Sequence, residues 1–369
     1  MKKISFILIL FLFFGVQPFQ AQVRSFAPNK RTKLELEPPR YVKVSKVTNR
    51  TVKKEPDYVL YRNIVRQYSW IVGQGDPITQ EVADHLPYYF KLSLKNEKGH
   101  WQHIQAMRGD SLTEKHEQDT YILNPNTDMS EENRVWREKL ARVCQWYITS
   151  DLSGELVVEE RAYDKGGNMI YGFQPVKNGR NRVVGSYIND YGYPVDIAES
   201  SLYTYGNVVM ITYDSHGYDS IIDYLDGAGL RRQNNDGVDQ RRYLYDRKGR
   251  ILRVTSNNAV GDCMIDNWGN CGNIYKYDDA GNSYVKTRVD DELKPMRMPV
   301  GRSGILDTYI SCKVILDKWG RKKEMIFLDA EGNPDVTLAG IHRVVYEYSD
   351  TGILQKEMYF DLNDNLITF

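Results

Sequence analysis

The sequence lacks an excess of charge of either sign. Lys and Arg together number 49, Asp and Glu together also number 49, and the formal net charge at pH 7 is +0. A chain without a basic excess has no general electrostatic attraction to nucleic-acid phosphates or to anionic lipid surfaces. We therefore expect no nucleic-acid partner.

Long apolar runs are missing from all but the N-terminus. Met1 is followed by two lysines and then by the apolar run Ile4–Val16, which is shorter than the roughly 20 residues that a membrane-spanning helix needs. This pattern predicts a signal peptide over residues 1–21, with an uncleaved N-terminal anchor as the alternative. We expect an exported protein that is periplasmic, outer-membrane-associated or secreted, with no transmembrane span after signal removal.

Recognisable catalytic motifs are also missing. No serine stands in a Gly-x-Ser-x-Gly elbow, and His100 and His103 would point to opposite faces of a strand, where they could not chelate one metal ion. Gly227-Ala228-Gly229 follows an aspartate turn and lacks the following helix that a phosphate-binding loop requires. We therefore expect no enzymatic activity, no cofactor and no metal site.

Cysteine is scarce, with four residues in the chain: Cys144, Cys263, Cys271 and Cys312. An exported protein can form disulfides but does not require them. Cys263 and Cys271 flank the turn-like segment Asp266–Gly269, so a hairpin could bring them together. A disulfide between these two cysteines is one expectation, and two buried free thiols are the alternative.

Tyrosine and glycine are abundant. The chain contains 27 Tyr and 28 Gly against 11 Phe. This composition favours strands that have one solvated face, together with tight turns between them. We therefore expect a fold that is mainly β.

The chain before residue 151 divides into three segments. Residues 1–21 form the predicted signal peptide. Residues 22–56 are basic, contain prolines and lack apolar periodicity, which predicts a flexible arm. Residues 57–150 have a mixed pattern, which predicts a small α+β region.

Three elements are predicted within residues 57–150. A short helix should begin with Asp76 as its cap and Pro77 at its first helical position. Alternation over residues 88–94 and 100–104 predicts a β-hairpin. Apolar residues at helical spacing predict a second helix over about 130–146, packed on that hairpin.

Residues 151–369 repeat themselves. An aspartate that follows Tyr, Ile or Leu and precedes a glycine by three positions recurs through this region. We expect each unit to be a strand and a turn, in which Asp accepts backbone N–H bonds and Gly supplies a positive φ. The turns are Asp164 to Gly167, Asp214 to Gly217, Asp246 to Gly249, Asp266 to Gly269, Asp278 to Gly281, Asp317 to Gly320 and Asp329 to Gly332.

The turn glycines recur at two preferred spacings. The shorter one separates Gly217 from Gly229, and the longer one separates Gly229 from Gly249. The same shorter and longer steps follow each other from Gly320 to Gly352. The block that joins the two steps is therefore duplicated.

Pairs of tyrosines two residues apart precede several turns. Side chains two apart lie on one face of a strand and can stack across neighbouring strands. These tyrosines form the candidate binding face: Tyr203, Tyr205, Tyr243, Tyr245, Tyr275, Tyr277, Tyr346 and Tyr348.

Two of these units resemble a known repeat. The stretch Arg242–Ile251 resembles the core motif of the tyrosine-aspartate (YD) repeats of the RHS family, and Lys276–Asn282 is similar. The other units share the Asp-x-x-Gly core, and the resemblance covers roughly residues 155–369. It implies antiparallel strand-turn repeats in an extended, winding sheet, here preceded by the small α+β region, and a role in scaffolding, binding or encapsulation.

The functional expectation follows from the repeats and the missing catalytic motifs. We expect an exported, non-enzymatic repeat scaffold whose tyrosine face binds a protein or a glycan at the bacterial envelope. The alternative is the N-terminal recognition region of a longer enzyme or toxin, because residues 359–369 stop inside a repeat without a polar cap.

Overall fold

A computed structural model describes most of the chain after residue 56, and the described residues lie in one compact unit, Glu55–Phe369. The predicted signal peptide, the predicted arm, Tyr203, Tyr205 and Gly281 lie outside the described residues. No helix in the described part is long and apolar enough to cross a membrane. The described ranges are 57–114, 142–179, 181–194, 208–234, 237–267, 269–280, 282–298 and 308–368.

The described residues form β-strands and one short helix. Several of the strands alternate buried with more exposed side chains, because successive side chains of a strand point to opposite faces of the sheet. The elements are β1 (Tyr58–Tyr61), β2 (Asn63–Gln67), β3 (Trp70–Gln74), α1 (Gln80–Asp84), β4 (Tyr89–Lys95), β5 (Trp101–Arg108), β6 (Ser111–Leu112), β7 (Gln145–Ser150), β8 (Val157–Tyr163), β9 (Met169–Asn178), β10 (Arg182–Ile188), β11 (Val208–Tyr213), β12 (Asp219–Leu225), β13 (Gln240–Tyr245), β14 (Ile251–Asn257), β15 (Gly272–Asp278), β16 (Ser283–Val289), β17 (Ser311–Leu316), β18 (Lys322–Leu328), β19 (Arg343–Tyr348), β20 (Leu354–Phe360) and β21 (Leu366–Ile367).

Nineteen of these strands form a single antiparallel sheet. From β7 to β21 every strand pairs with the next one along the chain, and β1, β4, β5 and β7 pair in that order before them. β2 and β3 form a separate hairpin. The prediction of a mainly β fold built from antiparallel strand-turn units is confirmed.

Two of the predicted helix positions are wrong. Helix α1 begins after Thr79, whose side chain accepts the N–H of Val82, so the cap is not Asp76 and Pro77 precedes the helix. The second predicted helix should have reached Trp146, but Trp146 lies in β7 opposite Ile104. Buried Trp146 alternates there with exposed Tyr147, which is the period of a strand. Residues 115–141 lie outside the described residues.

Five successive hairpins repeat with a nearly constant step. Their first strands begin at Val208, Gln240, Gly272, Ser311 and Arg343, and the step is constant except between Gly272 and Ser311, where it is longer. The sequence predicted one duplication of a block of this length, and the structure extends the pattern to five hairpins. Because consecutive strands run in opposite directions, the turns within hairpins lie at one end of the sheet and the longer connections between hairpins lie at the other.

The turns share one hydrogen-bond pattern. In the turn after β13, Asp246 Oδ1 accepts the N–H of Lys248 at 2.8 Å and of Arg250 at 2.9 Å, and Gly249 donates its N–H to the Asp246 carbonyl at 3.0 Å. Gly249 closes the turn with a φ of 75°. The same pair of carboxylate-to-backbone bonds occurs in the turns that begin at Asp214, Asp226, Asp290, Asp317, Asp329 and Asp361.

The other predicted turns differ in detail. Asp164 accepts the N–H of Asn168 at 2.8 Å, and the Asp266 carbonyl accepts the N–H of Gly269 at 2.9 Å. Asp278 is the last residue of β15 and lies opposite Ser283, so the chain turns after it. The turn glycines among the described residues have positive φ, as a tight reversal requires: Gly167, Gly217, Gly249, Gly269, Gly320 and Gly332.

The N-terminal segment 62–86 lies against the turns within the hairpins. The Tyr68 N–H donates to the Gly217 carbonyl at 2.7 Å, and the Gly75 N–H donates to the Lys248 carbonyl at 2.9 Å. Farther along the sheet, the His85 ring stacks on Trp319 with centroids 3.8 Å apart. The segment thus joins hairpins that are distant from it in sequence.

A buried ion pair fastens this segment to the sheet. Arg66 on β2 donates from Nη1 and Nη2 to the two carboxylate oxygens of Glu160 on β8, each at 2.6 Å. The two side chains are 7% and 0% exposed. The Tyr171 hydroxyl donates to the same carboxylate at 3.2 Å, so the buried Glu160 carboxylate accepts hydrogen bonds from both side chains.

We predict that Glu160→Gln lowers the free energy of unfolding by about 3 to 5 kcal/mol, because it leaves the Arg66 charge buried without a counterion. The double variant Arg66→Met/Glu160→Leu should recover most of this loss, since it removes both charges. Urea unfolding of the two variants and the wild-type chain measures the difference. A single variant as stable as the wild type would contradict the prediction.

Turn glycines at the two ends of the sheet should differ in their tolerance of alanine. Gly352 has a φ of 74°, and a Cβ there would lie 2.5 Å from the carbonyl carbon of Leu86. Gly332 has a φ of 90°, but a Cβ there would meet nothing within 4 Å. Gly352→Ala should therefore cost the positive-φ strain of about 1 to 2 kcal/mol plus about 1 to 3 kcal/mol of steric overlap, whereas Gly332→Ala costs the strain alone. Equal shifts in the urea midpoint of the two variants would show that the Leu86 backbone does not restrict the side chain at position 352.

Candidate binding face

The predicted tyrosines lie on one face of the repeat strands. Tyr243 and Tyr245 are partly buried, whereas Leu244 between them is 49% exposed. Tyr275 and Tyr277 flank the exposed Lys276 in the same way. Tyr346 and Tyr348, which flank the exposed Glu347, complete the six described tyrosines of the predicted set. The side of the sheet on which these six lie is termed the tyrosine face.

Strand register brings four of these rings and two further tyrosines into two clusters. Tyr277 lies directly opposite Tyr284, which sequence reasoning missed, and their ring centroids are 5.7 Å apart. Tyr275 and Tyr277 stack at 6.5 Å, and Tyr243 and Tyr245 stack at 6.0 Å. Tyr245 also contacts Tyr218 of the preceding hairpin, with centroids 5.2 Å apart.

The tyrosine face is divided into two groups. Tyr243 packs against a large apolar core formed by strands of the N-terminal half, and Tyr346 packs against a smaller core in β17–β19. In the smaller core, Cys312 and Phe327 lie opposite each other and are buried. Tyr284, which lies against Tyr277, also packs on this smaller core, so the structure groups the rings around Tyr277 with Tyr346 and apart from Tyr243.

An arginine four residues after the turn aspartate joins each of two hairpins to the next. Arg250 Nε donates to Asp246 Oδ2 of its own turn at 2.7 Å, and Nη1 donates to Asp279 Oδ1 of the next turn at 2.5 Å. Its guanidinium carbon lies 4.2 Å from the centre of the Tyr277 ring. The arginine thus holds a tyrosine of the candidate face in position through charge and cation–π contact.

Arg321 repeats this arrangement in a later hairpin. Its Nε donates to Asp317 Oδ2 at 2.6 Å, its Nη1 donates to the Ser349 carbonyl at 3.2 Å, and its guanidinium lies 4.8 Å from the Tyr348 ring centre. The separation in sequence between the arginine and its tyrosine is the same in both hairpins. This equal spacing is a feature of the sequence that indicates contact between consecutive hairpins.

In turns that lack this arginine, the residue four positions after the aspartate makes other contacts. Tyr218, four residues after Asp214, packs on Tyr245, and the separation between these two tyrosines again matches that of the arginine pairs. Asn282, four residues after Asp278, donates from Nδ2 to the Asp317 carbonyl at 2.6 Å. We term Tyr218, Arg250, Asn282 and Arg321 the linking residues.

Charge on this face is concentrated in the guanidinium groups. Burial raises the pKa of Tyr245 well above its ordinary value, so its phenol is neutral at physiological pH. Burial by itself would lower the pKa of Arg250, but its hydrogen bonds to Asp279 and Asp246 raise it overall. The hydrogen bond from Arg250 lowers the pKa of the Asp279 carboxyl. The face therefore combines neutral aromatic rings with charged ion pairs.

Two of the cysteines form a disulfide, and the other two are buried free thiols. Cys263 and Cys271 form a disulfide with Cα atoms 6.0 Å apart, which closes the connection between β14 and β15. Cys144 and Cys312 are free and buried, and burial raises the pKa of the Cys144 thiol to about 11. In the described part of the chain, no three His, Cys, Asp or Glu side chains are grouped to hold a metal ion.

Comparison with known proteins finds a weak likeness among solved structures. No family model and no curated protein matches the sequence. Among solved structures, the chain is similar to a chain of "Crystal Structure of TcdB2-TccC3-Cdc42", with a TM-score of 0.20 and 13% sequence identity. The match covers 80% of this chain and 15% of that chain. This score is too low for the likeness to bear on function.

We predict that Arg250→Ala lowers the free energy of unfolding by about 1 kcal/mol, because it removes the hydrogen bond to Asp246 and the cation over Tyr277. The neighbouring Arg247 is exposed in the same turn, and Arg247→Ala is the matched control. Thermal or urea unfolding should detect the loss in the first variant and a negligible change in the second. Indistinguishable effects of the two substitutions would rule out a linking role for Arg250.

Proposed function

We propose that this chain is an exported, non-enzymatic repeat scaffold and that its tyrosine face binds a protein or a glycan at the bacterial envelope. The observation that carries the proposal is the presence of two clusters of partly buried tyrosine rings on one side of the neighbouring hairpins β13–β16, which are Tyr243 with Tyr245 and Tyr275 with Tyr277 and Tyr284. Tyrosine combines a large apolar ring with a polar hydroxyl, and such rings recur at sites that bind proteins.

The linking residues support this role because they restrict the tyrosine rings before any partner arrives. Arg250 holds Tyr277 from one side, and Tyr284 lies against it from the next strand. The Tyr277 hydroxyl also donates to the Ile251 carbonyl at 3.1 Å. A ring that is already restrained loses little conformational entropy on binding, which favours affinity.

The repeat chemistry supports a scaffold rather than a catalyst. The stretch Arg242–Ile251, which resembles a YD repeat, uses its aspartate to hold the turn and its arginine to reach the next hairpin. The two free thiols are buried in apolar surroundings, where the reactive thiolate form is disfavoured. The polar groups of the repeats are thus engaged in holding the sheet together.

Capture from a bacterial envelope extract tests the proposal. Purified chain is immobilised, and Tyr275→Ser is compared with Tyr275→Phe, which keeps the ring, and with Lys276→Ser on the opposite face. We expect Tyr275→Ser to reduce the captured protein or polysaccharide by about tenfold, as loss of a central aromatic contact does, and the other two variants to retain it.

Unfolding midpoints within a few degrees of the wild type would show that each variant is folded. Capture that is unchanged in Tyr275→Ser, or reduced equally in Lys276→Ser, would exclude the tyrosine face as the binding surface.

A further inference from the structure

The outer edge of β20 is an incompletely covered strand edge. β19 pairs with β20 on one side, whereas β21 on the other side pairs only with Tyr359 and Phe360. Within the described part of the chain, no strand pairs with Leu354–Met358 on that side. Strand edges with free backbone donors and acceptors are sites where another strand can add.

The earlier hairpins show how such an edge is used in this fold. β16 pairs with β17 through its first five residues, Ser283–Thr287. In the other three cases the second strand of a hairpin pairs with the first strand of the next through its third to fifth residues, which are Ile221–Asp223 in β12, Arg253–Thr255 in β14 and Glu324–Ile326 in β18. The equivalent residues of β20 are Lys356–Met358.

β21 pairs with β20 at the positions where earlier connections pair with the strand before them. Isolated bridges join the last residue of the second strand to the following connection, as in Leu225 with Arg231 and Leu328 with Pro334. Phe360 pairs with Leu366 at the equivalent positions. Lys356–Met358 of β20 therefore occupy the positions at which β12, β14 and β18 pair with the first strand of the next hairpin.

A carboxylate at the fourth position distinguishes the edge of β20 from the earlier edges. Glu357 occupies this position, where β12 has Ile222, β14 has Val254, β16 has Lys286 and β18 has Met325. It lies opposite Tyr346, on the tyrosine side of the sheet, and it accepts the Tyr359 hydroxyl at 2.7 Å. A carboxylate has further lone pairs, so Glu357 can also accept a hydrogen bond from a cationic side chain.

Lys356 adds the opposite charge on the opposite face. Adjacent residues of a strand point to opposite faces, and both Lys356 and Glu357 are exposed. An added antiparallel strand would place one side chain against each of them. Opposite charges directly across such a pair are favourable, and like charges are unfavourable.

We propose that the edge of β20 binds an extended segment of another polypeptide by strand addition, with a cationic residue opposite Glu357 and an anionic residue opposite Lys356. The added segment pairs antiparallel with Lys356–Met358, as Gln240–Arg242 pairs with Ile221–Asp223 in β12. This site is separate from the binding role proposed for the rings of β13–β16, so either can fail without the other.

A pair of isomeric peptides tests the charge register. Both have the sequence of residues 238–246, whose strand places Arg241 opposite Ile222 and Arg242 opposite Ile221. The first carries Arg242→Glu, which puts Arg opposite Glu357 and Glu opposite Lys356. The second carries Arg241→Glu, which reverses both charges with no change in composition.

We expect fluorescein-labelled first peptide to bind the full chain about tenfold more tightly than the second at low ionic strength, because two cross-strand pairs change sign. The variant Lys356→Glu/Glu357→Lys should reverse the preference. Hydrogen exchange should show slower exchange of the 354–358 amides when the preferred peptide is bound. A reversal of preference cannot arise from a general loss of stability.

Equal affinities for the two peptides, no detectable binding of either at millimolar concentration, or an unchanged preference in the reversed variant would overturn the proposal. Protection of the 354–358 amides without peptide, together with a dimer in light scattering, would also overturn it, because a second copy would then cover the edge.

Discussion

The repeat depends on the carboxylate at the first position of each turn. Reversal of the chain leaves backbone N–H groups without strand partners, and a buried or constrained N–H without a partner is costly. Asp246 supplies acceptors for the N–H groups of Lys248 and Arg250, so one side chain completes the turn. Because glycine at the fourth position takes the positive φ, the length of the turn is set, and the register of the two strands follows from it.

That local geometry also produces the contacts between hairpins. The residue four positions after the aspartate immediately precedes the return strand and lies beside the next hairpin. Arg250, Arg321, Tyr218 and Asn282 all use this position to reach the following repeat. Repeat proteins gain stability from such nearest-neighbour terms. In this chain the segment 62–86 adds long-range contacts, including the buried pair of Arg66 and Glu160.

The tyrosines hold neighbouring hairpins together, and the proposed binding would use the same rings. Tyr277 lies under Arg250 and against Tyr284, so part of its surface is used to hold adjacent hairpins together. The surface that remains is presented in a restrained orientation, which suits recognition of a partner. The β20 edge offers a different mode of binding, through backbone hydrogen bonds and the alternating charges of Lys356 and Glu357.

The mainly β fold and its strand-turn units follow from the sequence alone, because the chemistry of an Asp-x-x-Gly turn acts between close neighbours in the chain and tyrosines two apart share a strand face. The contacts made across long sequence separations depend instead on the tertiary structure. Trp146 joined a strand rather than the predicted helix because its indole is buried in the main core beside Tyr171. Likewise, the pairing of Arg66 with Glu160 and the division of the tyrosine face into two groups depend on how the sheet places remote strands together, which no local pattern encodes.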